Sequence, residues 1–217
     1  ELGEVKVLAP VHPSKIIGVG LNYILHIEES GAATPSFPML FMKPPTGVIG
    51  QGDTIQVPNT DHRVEYEVEL AVVMGKRTKN VSEEEALDYV LGYTCGNDVS
   101  DRDIQLAEMK MGAMAVGKGF DTYCPLGPVI ATDLDPTSVD VKTRLNGEEK
   151  QNANTSDMLF SAAYLISYIS SAMTLLPGDV IMTGTPSGVG PMADGDVVEI
   201  ELSGVGTLRN PISRSDP

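Results

Sequence analysis

The sequence has few cysteines, few aromatic residues, no tryptophan and half as many basic as acidic side chains. Its 2 cysteines, Cys95 and Cys124, are too few for a disulfide framework and lack the C-x-x-C spacing of a zinc or redox site. We therefore interpret both as buried, unreactive thiols. The 15 Lys and Arg against 30 Asp and Glu give a formal net charge of −15, which would repel nucleic acid and an anionic membrane surface.

Long hydrophobic runs are also missing. No apolar stretch approaches the roughly 18 residues that a membrane span needs, and the N-terminus lacks the basic and apolar regions of a secretion signal. These absences exclude a membrane partner and favour the cytoplasm. The first residue is Glu1 rather than methionine, which is consistent with a processed chain that has lost an N-terminal segment.

The distribution of turn residues predicts a mainly β (α+β) fold in one domain over residues 1–217. Its 22 glycines and 15 prolines separate short apolar runs of strand length, which are residues 15–20, 65–74, 178–183 and 196–202. Three Gly-Asp pairs, which begin at Gly52, Gly178 and Gly195, each precede a β-branched run, as expected of tight turns that open strands. No Ser/Gly-rich linker divides the chain.

A few helices are expected between the strands. A Ser-x-x-Glu capping box at Ser82 starts one helix, and Gly92 ends it. A second helix begins at residue 100 or 101 and runs toward residue 110. The third and longest helix spans residues 157–173, with Ser156 as its cap. Apolar residues occupy nearly all sides of this helix, which predicts that it is largely buried.

Acidic residues alternate with apolar ones from position 64 to position 70, so Glu65, Glu67 and Glu69 share one face of a predicted strand. A solvated outer face is one interpretation. Four further apolar residues continue the strand, which favours a buried strand whose carboxylates need a cation between them. Asp98, at the end of the next apolar run, would join Glu67 and Glu69 in an all-oxygen site suited to Mg²⁺ or Mn²⁺, and Ca²⁺ would also fit.

His26 and Glu29 lie three residues apart, a spacing that brings both onto one face of a helical turn. Such a pair can act as a general base, because the carboxylate orients the imidazole and stabilises its charged form. A surface ion pair is equally consistent with the spacing.

A glycine-rich stretch, T-G-T-P-S-G-V-G at residues 183–190, follows a predicted strand. No Lys-Ser/Thr follows the glycines, so the stretch is not a phosphate-binding P-loop, but its amides and hydroxyls could hold a carboxylate or phosphate. Lys43 and Lys118 lie near predicted strand ends, where an ammonium could reach a ligand.

Together these stretches resemble the fumarylacetoacetate hydrolase superfamily in its compact bacterial form. The motifs N-Y-x-x-H-x-x-E, Y-E-x-E-L, N-D-V-S-x-R-D, G-K-G-F-D-T and T-G-T-P-x-G-V-G occur in the family's order, within a match over residues 15–210. The resemblance implies a mixed β-sandwich roll with few helices, usually assembled as a homodimer.

The resemblance also implies roles for individual residues. The metal ligands that it implies, with Glu65 outside the set, are Glu67, Glu69 and Asp98. The catalytic residues are His26 and Glu29, as an acid–base pair on a lid, and Lys118, in contact with the substrate or its enolate. The substrate-binding residues are Tyr23, Lys43, Arg102, Gln105 and Thr185.

The implied activity is metal-dependent hydrolysis of a C–C bond in an acylpyruvate- or fumarylpyruvate-type 2-oxo acid, in the catabolism of aromatic compounds. The cation would stabilise an enolate, and the His–Glu pair would activate water. The same enolate would serve an isomerase or decarboxylase of the 5-carboxymethyl-2-hydroxymuconate type, or an oxaloacetate decarboxylase. A non-catalytic cation-binding β-domain is a more distant alternative, because a purely structural site has no use for a base.

One position departs from the family pattern. Relatives often carry an aromatic residue about four positions before the glycine-flanked lysine, and this chain has Met114 there, in a stretch that also contains Met109 and Met111. The departure concerns the identity of the substrate more than metal binding.

Overall fold

A computed structural model describes residues 5–58 and 61–215 and shows the mainly β architecture that the sequence predicts. The strands are β1 (Ile16–Gly20), β2 (Met39–Lys43), β3 (Val48–Ile49), β4 (Ile55–Val57), β5 (Val64–Tyr66), β6 (Val68–Met74), β7 (Val90–Asn97), β8 (Ser100–Asp101), β9 (Cys124–Ala131), β10 (Asp140–Leu145), β11 (Glu148–Asn154), β12 (Val180–Met182), β13 (Gly190–Pro191), β14 (Val197–Leu202) and β15 (Gly206–Arg214). The α-helices in these ranges are α1 (Ile24–Ser30), α2 (Arg102–Met109) and α3 (Ala162–Ala172).

The strands form three sheets. A seven-stranded sheet has the order β2-β1-β12-β6-β7-β9-β3, a five-stranded sheet has the order β11-β10-β14-β15-β4, and a three-stranded sheet has the order β13-β5-β8. Strand β1 pairs with β12 in parallel, whereas β6 pairs antiparallel with both β12 and β7. This mixed arrangement places β6, the strand with the alternating acids, in the middle of the largest sheet, where its side chains are buried on both faces.

Tight turns open three strands where the Gly-Asp pairs predict them. Gly52, Gly178 and Gly195 all have positive φ angles, between 77° and 86°. Glycine adopts this left-handed region without steric cost, so each turn can reverse the chain just before β4, β12 or β14.

Two predicted helices and one predicted strand need correction. The segment after Ser82 contains only a 3₁₀ turn, Ala86–Tyr89, because the Ser82 hydroxyl donates to the Glu85 carboxylate at 3.1 Å instead of capping the backbone. The predicted strand 65–74 is interrupted at Glu67, whose backbone N–H donates to the Asn97 side chain at 3.0 Å.

The third helix is shorter than predicted and has another cap. Ser156 lies in a 3₁₀ turn, Thr155–Asp157, which is capped by Asn154. Helix α3 starts after Ser161, whose hydroxyl accepts from the N–H of Tyr164 at 3.1 Å. The second helix agrees with its prediction, because Asp101 caps α2 through the N–H of Ile104 at 3.1 Å.

The core lies between the sheets and α3. Leu165, Ile166 and Ile169 of α3 are fully buried against it. Cys95 and Cys124 are free and buried, as predicted, and burial raises the pKa of each thiol to about 12. None of the helices in the described residues is long and apolar enough to cross a membrane.

Candidate active site

Three carboxylates meet where β6 and β7 pair. The antiparallel register places Val68 opposite Asn97, so Glu67, just before β6, lies beside Asp98, just after β7. The backbone N–H of Asp98 donates to the carbonyl of Glu67 at 3.0 Å and fixes this proximity. Glu67, Glu69 and Asp98 are all buried, and one carboxylate oxygen from each lies within 4.8 Å of the others.

Two buried lysines bind the same carboxylates. The Lys118 ammonium donates to Glu67 Oε2 at 2.9 Å and to Asp98 Oδ2 at 2.5 Å. The Lys43 ammonium donates to Asp98 Oδ1 at 2.6 Å and to the Lys118 carbonyl at 2.7 Å. A buried carboxylate without such partners would carry a large desolvation cost, so these ion pairs let the acids stay charged inside the protein.

Arg102 connects the acidic cluster to a fourth acid. Its guanidinium donates to Glu67 Oε1 at 2.7 Å and to Glu65 Oε2 at 2.7 Å. A third donor on the same guanidinium reaches Gln105 Oε1 at 2.6 Å. Glu65 therefore pairs with arginine and stands apart from the cluster of potential metal ligands.

The surroundings shift the pKa values of two acids in opposite directions. Burial would raise the pKa of Glu67, but the charges and hydrogen bonds of Lys118 and Arg102 hold it well below its ordinary value. For Glu69, burial and the negative charges of Asp98 and Glu67 raise the pKa well above its ordinary value. Glu69 is thus the acid of the cluster whose charge is poorly compensated by the protein alone.

These residues fit a divalent cation. The donor set is three carboxylates, the ligand chemistry of hard cations such as Mg²⁺, Mn²⁺ and Ca²⁺. A cation would also supply the positive charge that Glu69 lacks. Each carboxylate oxygen has two lone pairs, so an oxygen that accepts from a lysine or arginine can still act as a ligand.

The predicted acid–base pair lies on α1, which agrees with the helical turn expected from its spacing. His26 Nδ1 is 3.3 Å from Glu29 Oε2, and the His26 side chain is 14 % exposed. Both Glu29 oxygens accept from the backbone N–H of Gly188 at 3.2 Å. Glu29 thus connects the helix to the glycine-rich loop.

That glycine-rich loop, residues 183–190, holds carboxylates through its backbone amides. The N–H of Gly184 donates to Glu69 Oε2 at 2.7 Å, and the N–H of Gly188 holds Glu29. The sequence predicts a carboxylate or phosphate at these amides, and the carboxylates found there are the protein's own. Gly184 and Gly188 have φ angles of 98° and 95°, a region that suits glycine.

A single cavity of about 470 Å³ gathers most of the predicted site residues. Those that line it are His26, Glu29, Glu67, Asp98, Arg102, Gln105, Lys118 and Thr185. Glu69, the third member of the acidic cluster, is not among the residues that line the cavity. Apolar side chains cover much of the remaining wall, among them Phe41 and Met114.

Two predicted substrate-binding residues lie outside this cavity. Tyr23 is fully buried at the start of α1, and its hydroxyl has no hydrogen-bond partner among the described residues. Burial, followed by the charges of Glu69 and Asp157, raises the pKa of this hydroxyl well above its ordinary value. Lys43 is paired with Asp98 and borders a second cavity.

The structure adds residues that sequence reasoning missed. The Ser100 hydroxyl donates to Glu67 Oε1 at 3.2 Å, and its place in N-D-V-S-x-R-D could have suggested a role. Gln151 lies in β11 and contacts both β6 and the glycine-rich loop. No local signal in the sequence marks it, because its partners are 83 and 35 residues away along the chain.

Comparison with known proteins gives consistent matches. Residues 15–213 match the family model of the fumarylacetoacetate (FAA) hydrolase C-terminal domain. The crystal structure of 5-carboxymethyl-2-hydroxymuconate delta-isomerase from Mycobacterium smegmatis is 48 % identical, with a TM-score of 0.91 over 100 % of this chain and 85 % of that one. Fumarylacetoacetate hydrolase from Exiguobacterium antarcticum is 39 % identical, with a TM-score of 0.86 over 96 % and 78 % of the two chains. The mitochondrial oxaloacetate tautomerase fahd2 of Xenopus laevis is 42 % identical over 96 % of this chain and 68 % of its own.

Proposed function

Because the chain belongs to the fumarylacetoacetate (FAA) hydrolase family, we propose that it is an enzyme that forms the enolate of a small 2-oxo acid at a site holding Mg²⁺ or Mn²⁺. The observation that carries the proposal is that one cavity is lined both by carboxylates of the acidic cluster and by the His26–Glu29 pair. A site that only stabilised the fold would need the carboxylates but no base beside them.

Glu67, Glu69 and Asp98 would hold the cation, and the cation would supply positive charge to the oxygens of the 2-oxo acid as the enolate develops. The chain adds its own positive charge at the same place. Lys118 and Arg102 line the cavity and can face a carboxylate or enolate oxygen while they remain paired with the cluster. Their charges allow an anionic substrate to enter a protein whose net charge is −15.

His26 would move the proton. Its Nδ1 faces Glu29, so the other ring nitrogen, Nε2, is the atom available to substrate or water. Glu29 is held by the amide of Gly188 and can therefore orient the imidazole in a constant position. Thr185, which also lines the cavity, offers a hydroxyl to a substrate oxygen.

The first reaction that we propose is hydrolysis of a C–C bond in an acylpyruvate- or fumarylpyruvate-type acid. His26 would remove a proton from a water molecule, which adds to the distal carbonyl. The C–C bond of this adduct would then break, so that the acyl carbon leaves as a carboxylic acid and the electron pair of the bond forms the pyruvate enolate. The proton that His26 took from water would return to the enolate and complete pyruvate. The relationship to the hydrolase of Exiguobacterium antarcticum supports this reaction.

Isomerisation is the second candidate, favoured by relatives of higher identity. The isomerase of Mycobacterium smegmatis and the tautomerase of Xenopus laevis are 48 % and 42 % identical to this chain. Their named reactions need proton removal and return but no attacking water. The same cavity could serve this chemistry, with His26 taking a proton from one carbon and returning it elsewhere.

The experiment that tests the proposal is solvent deuterium exchange at C3 of oxaloacetate and acetylpyruvate, followed by NMR with Mg²⁺ or Mn²⁺ and again after chelation with EDTA. Exchange reports the enolate whichever product follows. We expect exchange that is lost on chelation and restored by metal. If the enzyme is a hydrolase, acetylpyruvate would give acetate and pyruvate. If it is an isomerase, only ketonised or isomerised substrate would accumulate. Absence of metal-dependent exchange and of turnover on fumarylpyruvate would refute the proposal.

A further inference from the structure

Gln151 is the fully buried residue of an otherwise half-exposed strand. In β11 it is 1 % exposed, whereas its neighbours from Glu148 to Asn154 are exposed or partly exposed. A buried amide side chain is costly unless all of its polar atoms are paired, so the position calls for an explanation.

All hydrogen-bonding positions of the Gln151 amide are paired. Oε1 accepts from the backbone N–H of Val68 at 3.1 Å and from the Thr143 hydroxyl at 2.8 Å. Nε2 donates to Thr185 Oγ1 at 2.9 Å and to the Pro186 carbonyl at 2.8 Å. The orientation of the amide is fixed, because Val68 N–H can only donate and the Pro186 carbonyl can only accept.

These bonds join the two parts of the candidate site. Val68 lies between Glu67 and Glu69, so Gln151 holds the backbone that carries both of these carboxylates. On its other side Gln151 holds the loop whose amides bind Glu69 and Glu29. Because Thr185 Oγ1 accepts from Gln151, its hydroxyl proton is left to point toward another acceptor.

We propose that Gln151 is a positioning residue, which fixes the distance between the metal-ligating strand end and the loop that carries Thr185 and anchors Glu29. Through Val68 it constrains the two glutamates, and through Thr185 and Pro186 it constrains the substrate side of the cavity. The part of this inference that concerns the cation rests on the proposed function, whereas the constraint on the loop does not.

The test compares Gln151→Met with Thr143→Val. The methionine has a similar volume but cannot pair with Val68, Thr185 or Pro186. The valine removes the hydroxyl bond to Gln151 inside the core and leaves the connection between strand and loop in place. Both variants should lose some thermal stability, so melting temperature alone does not decide, and Thr143→Val controls for simple damage to the core.

Three measurements separate positioning from packing. Hydrogen–deuterium exchange of peptides covering residues 183–190 should be faster in Gln151→Met than in the parent and unchanged in Thr143→Val. Calorimetric titration with MnCl₂ should show affinity weakened by about 10- to 100-fold in Gln151→Met, the range found when residues that support metal ligands are removed. KM for the 2-oxo acid should rise only in Gln151→Met.

The outcomes distinguish the two proposals. Parent-like loop exchange and parent-like Mn²⁺ affinity in Gln151→Met would overturn the role of Gln151 and leave the proposed function intact. A parent protein that binds no Mn²⁺ and forms no enolate would refute the proposed function and the metal part of this inference. The loop measurement would then decide the remaining part, because it needs neither metal nor substrate.

Discussion

The Lys118 ammonium lies 2.5 Å from Asp98 Oδ2, so a permanent positive charge sits inside the candidate metal cluster. Lys118 also contacts Glu67 at 2.9 Å, and Asp98 and Glu67 keep its pKa above the ordinary value although burial opposes this. In and around the cluster, four acids face four bases: Glu65, Glu67, Glu69 and Asp98 against Lys43, Arg63, Arg102 and Lys118. Among the described residues these ion pairs reach Glu65, Glu67 and Asp98 but not Glu69, so the charge of Glu69 is the least compensated of the four.

Replacing Lys118 with methionine should make the fold depend on a cation. Without the ammonium, Glu67 and Asp98 lose a common partner, and breaking a buried ion pair costs about 3–5 kcal/mol. After treatment with EDTA we expect a lower melting temperature for Lys118→Met than for the parent. Addition of MnCl₂ should raise the melting temperature of the variant more than that of the parent.

Lys110→Met is the control for this prediction, because Lys110 is exposed at the end of α2. Its replacement should change neither the melting temperature after EDTA treatment nor the melting temperature in MnCl₂. An equal response to MnCl₂ in the parent and in Lys118→Met would mean that the ammonium does not compensate the cluster.

Replacing Glu69 and His26 should separate metal binding from proton transfer. Glu69→Ala removes one of the three carboxylates and should abolish Mn²⁺ binding and activity together. His26→Ala should keep the parent's Mn²⁺ affinity, because His26 is outside the cluster, and should lower the hydrolytic rate by at least about 100-fold, the lower range for general acid–base catalysis.

Titration calorimetry with MnCl₂ and steady-state assays on each variant check this separation. Full hydrolytic activity in His26→Ala would contradict the assignment of the base, and unchanged Mn²⁺ affinity in Glu69→Ala would contradict the ligand set.

The sequence predicts those site residues whose positions depend on residues nearby along the chain. Alternation along 64–70 and the position of Asp98 after a strand are local patterns, and the register between β6 and β7 brings these acids together. The prediction of a helix from Ser82 to Gly92 was wrong at both ends, because Ser82 bonds the Glu85 carboxylate instead of the backbone and pairing with β6 draws the chain into β7 from Val90 onward. Gln151 could not be predicted, since its role depends on the packing of β11 against a distant loop and strand.

Asp179 should stabilise the fold at neutral pH and lose this effect in acid. Its carboxylate accepts from Ser14 Oγ at 2.5 Å and from Leu176 N–H at 2.6 Å, and it pairs with Lys15. Burial would raise the pKa of Asp179, but these partners lower it below its ordinary value. The folded state thus favours the charged form of Asp179. The stabilisation is complete above the pKa of this carboxyl in the unfolded chain, about 3.9, and is lost as the pH falls through its lower pKa in the folded protein.

Urea unfolding of Asp179→Asn at pH 7 and pH 3 checks this dependence. At pH 7 we expect the variant to be less stable by about 1.5–3 kcal/mol, the usual size of a hydrogen bond to a charged group. At pH 3 the difference should be smaller. The exposed Asp133→Asn is the control, with no change at either pH. A difference that stays constant between the two pH values would show that the charge of Asp179 is not responsible.

Replacing Gly188 with alanine should disconnect the acid–base pair from the loop. A Cβ at this position would lie 2.3 Å from the Lys150 carbonyl, and the φ angle of 95° is unfavourable for alanine, so the loop must move. The N–H that holds Glu29 would move with it. Gly195→Ala has a similar φ of 79° but open space around the Cβ, and strain of about 1–2 kcal/mol should be its only effect. We therefore expect a much lower kcat in Gly188→Ala and a normal kcat in Gly195→Ala. A normal kcat in Gly188→Ala would show that the contact between Glu29 and the loop does not support catalysis.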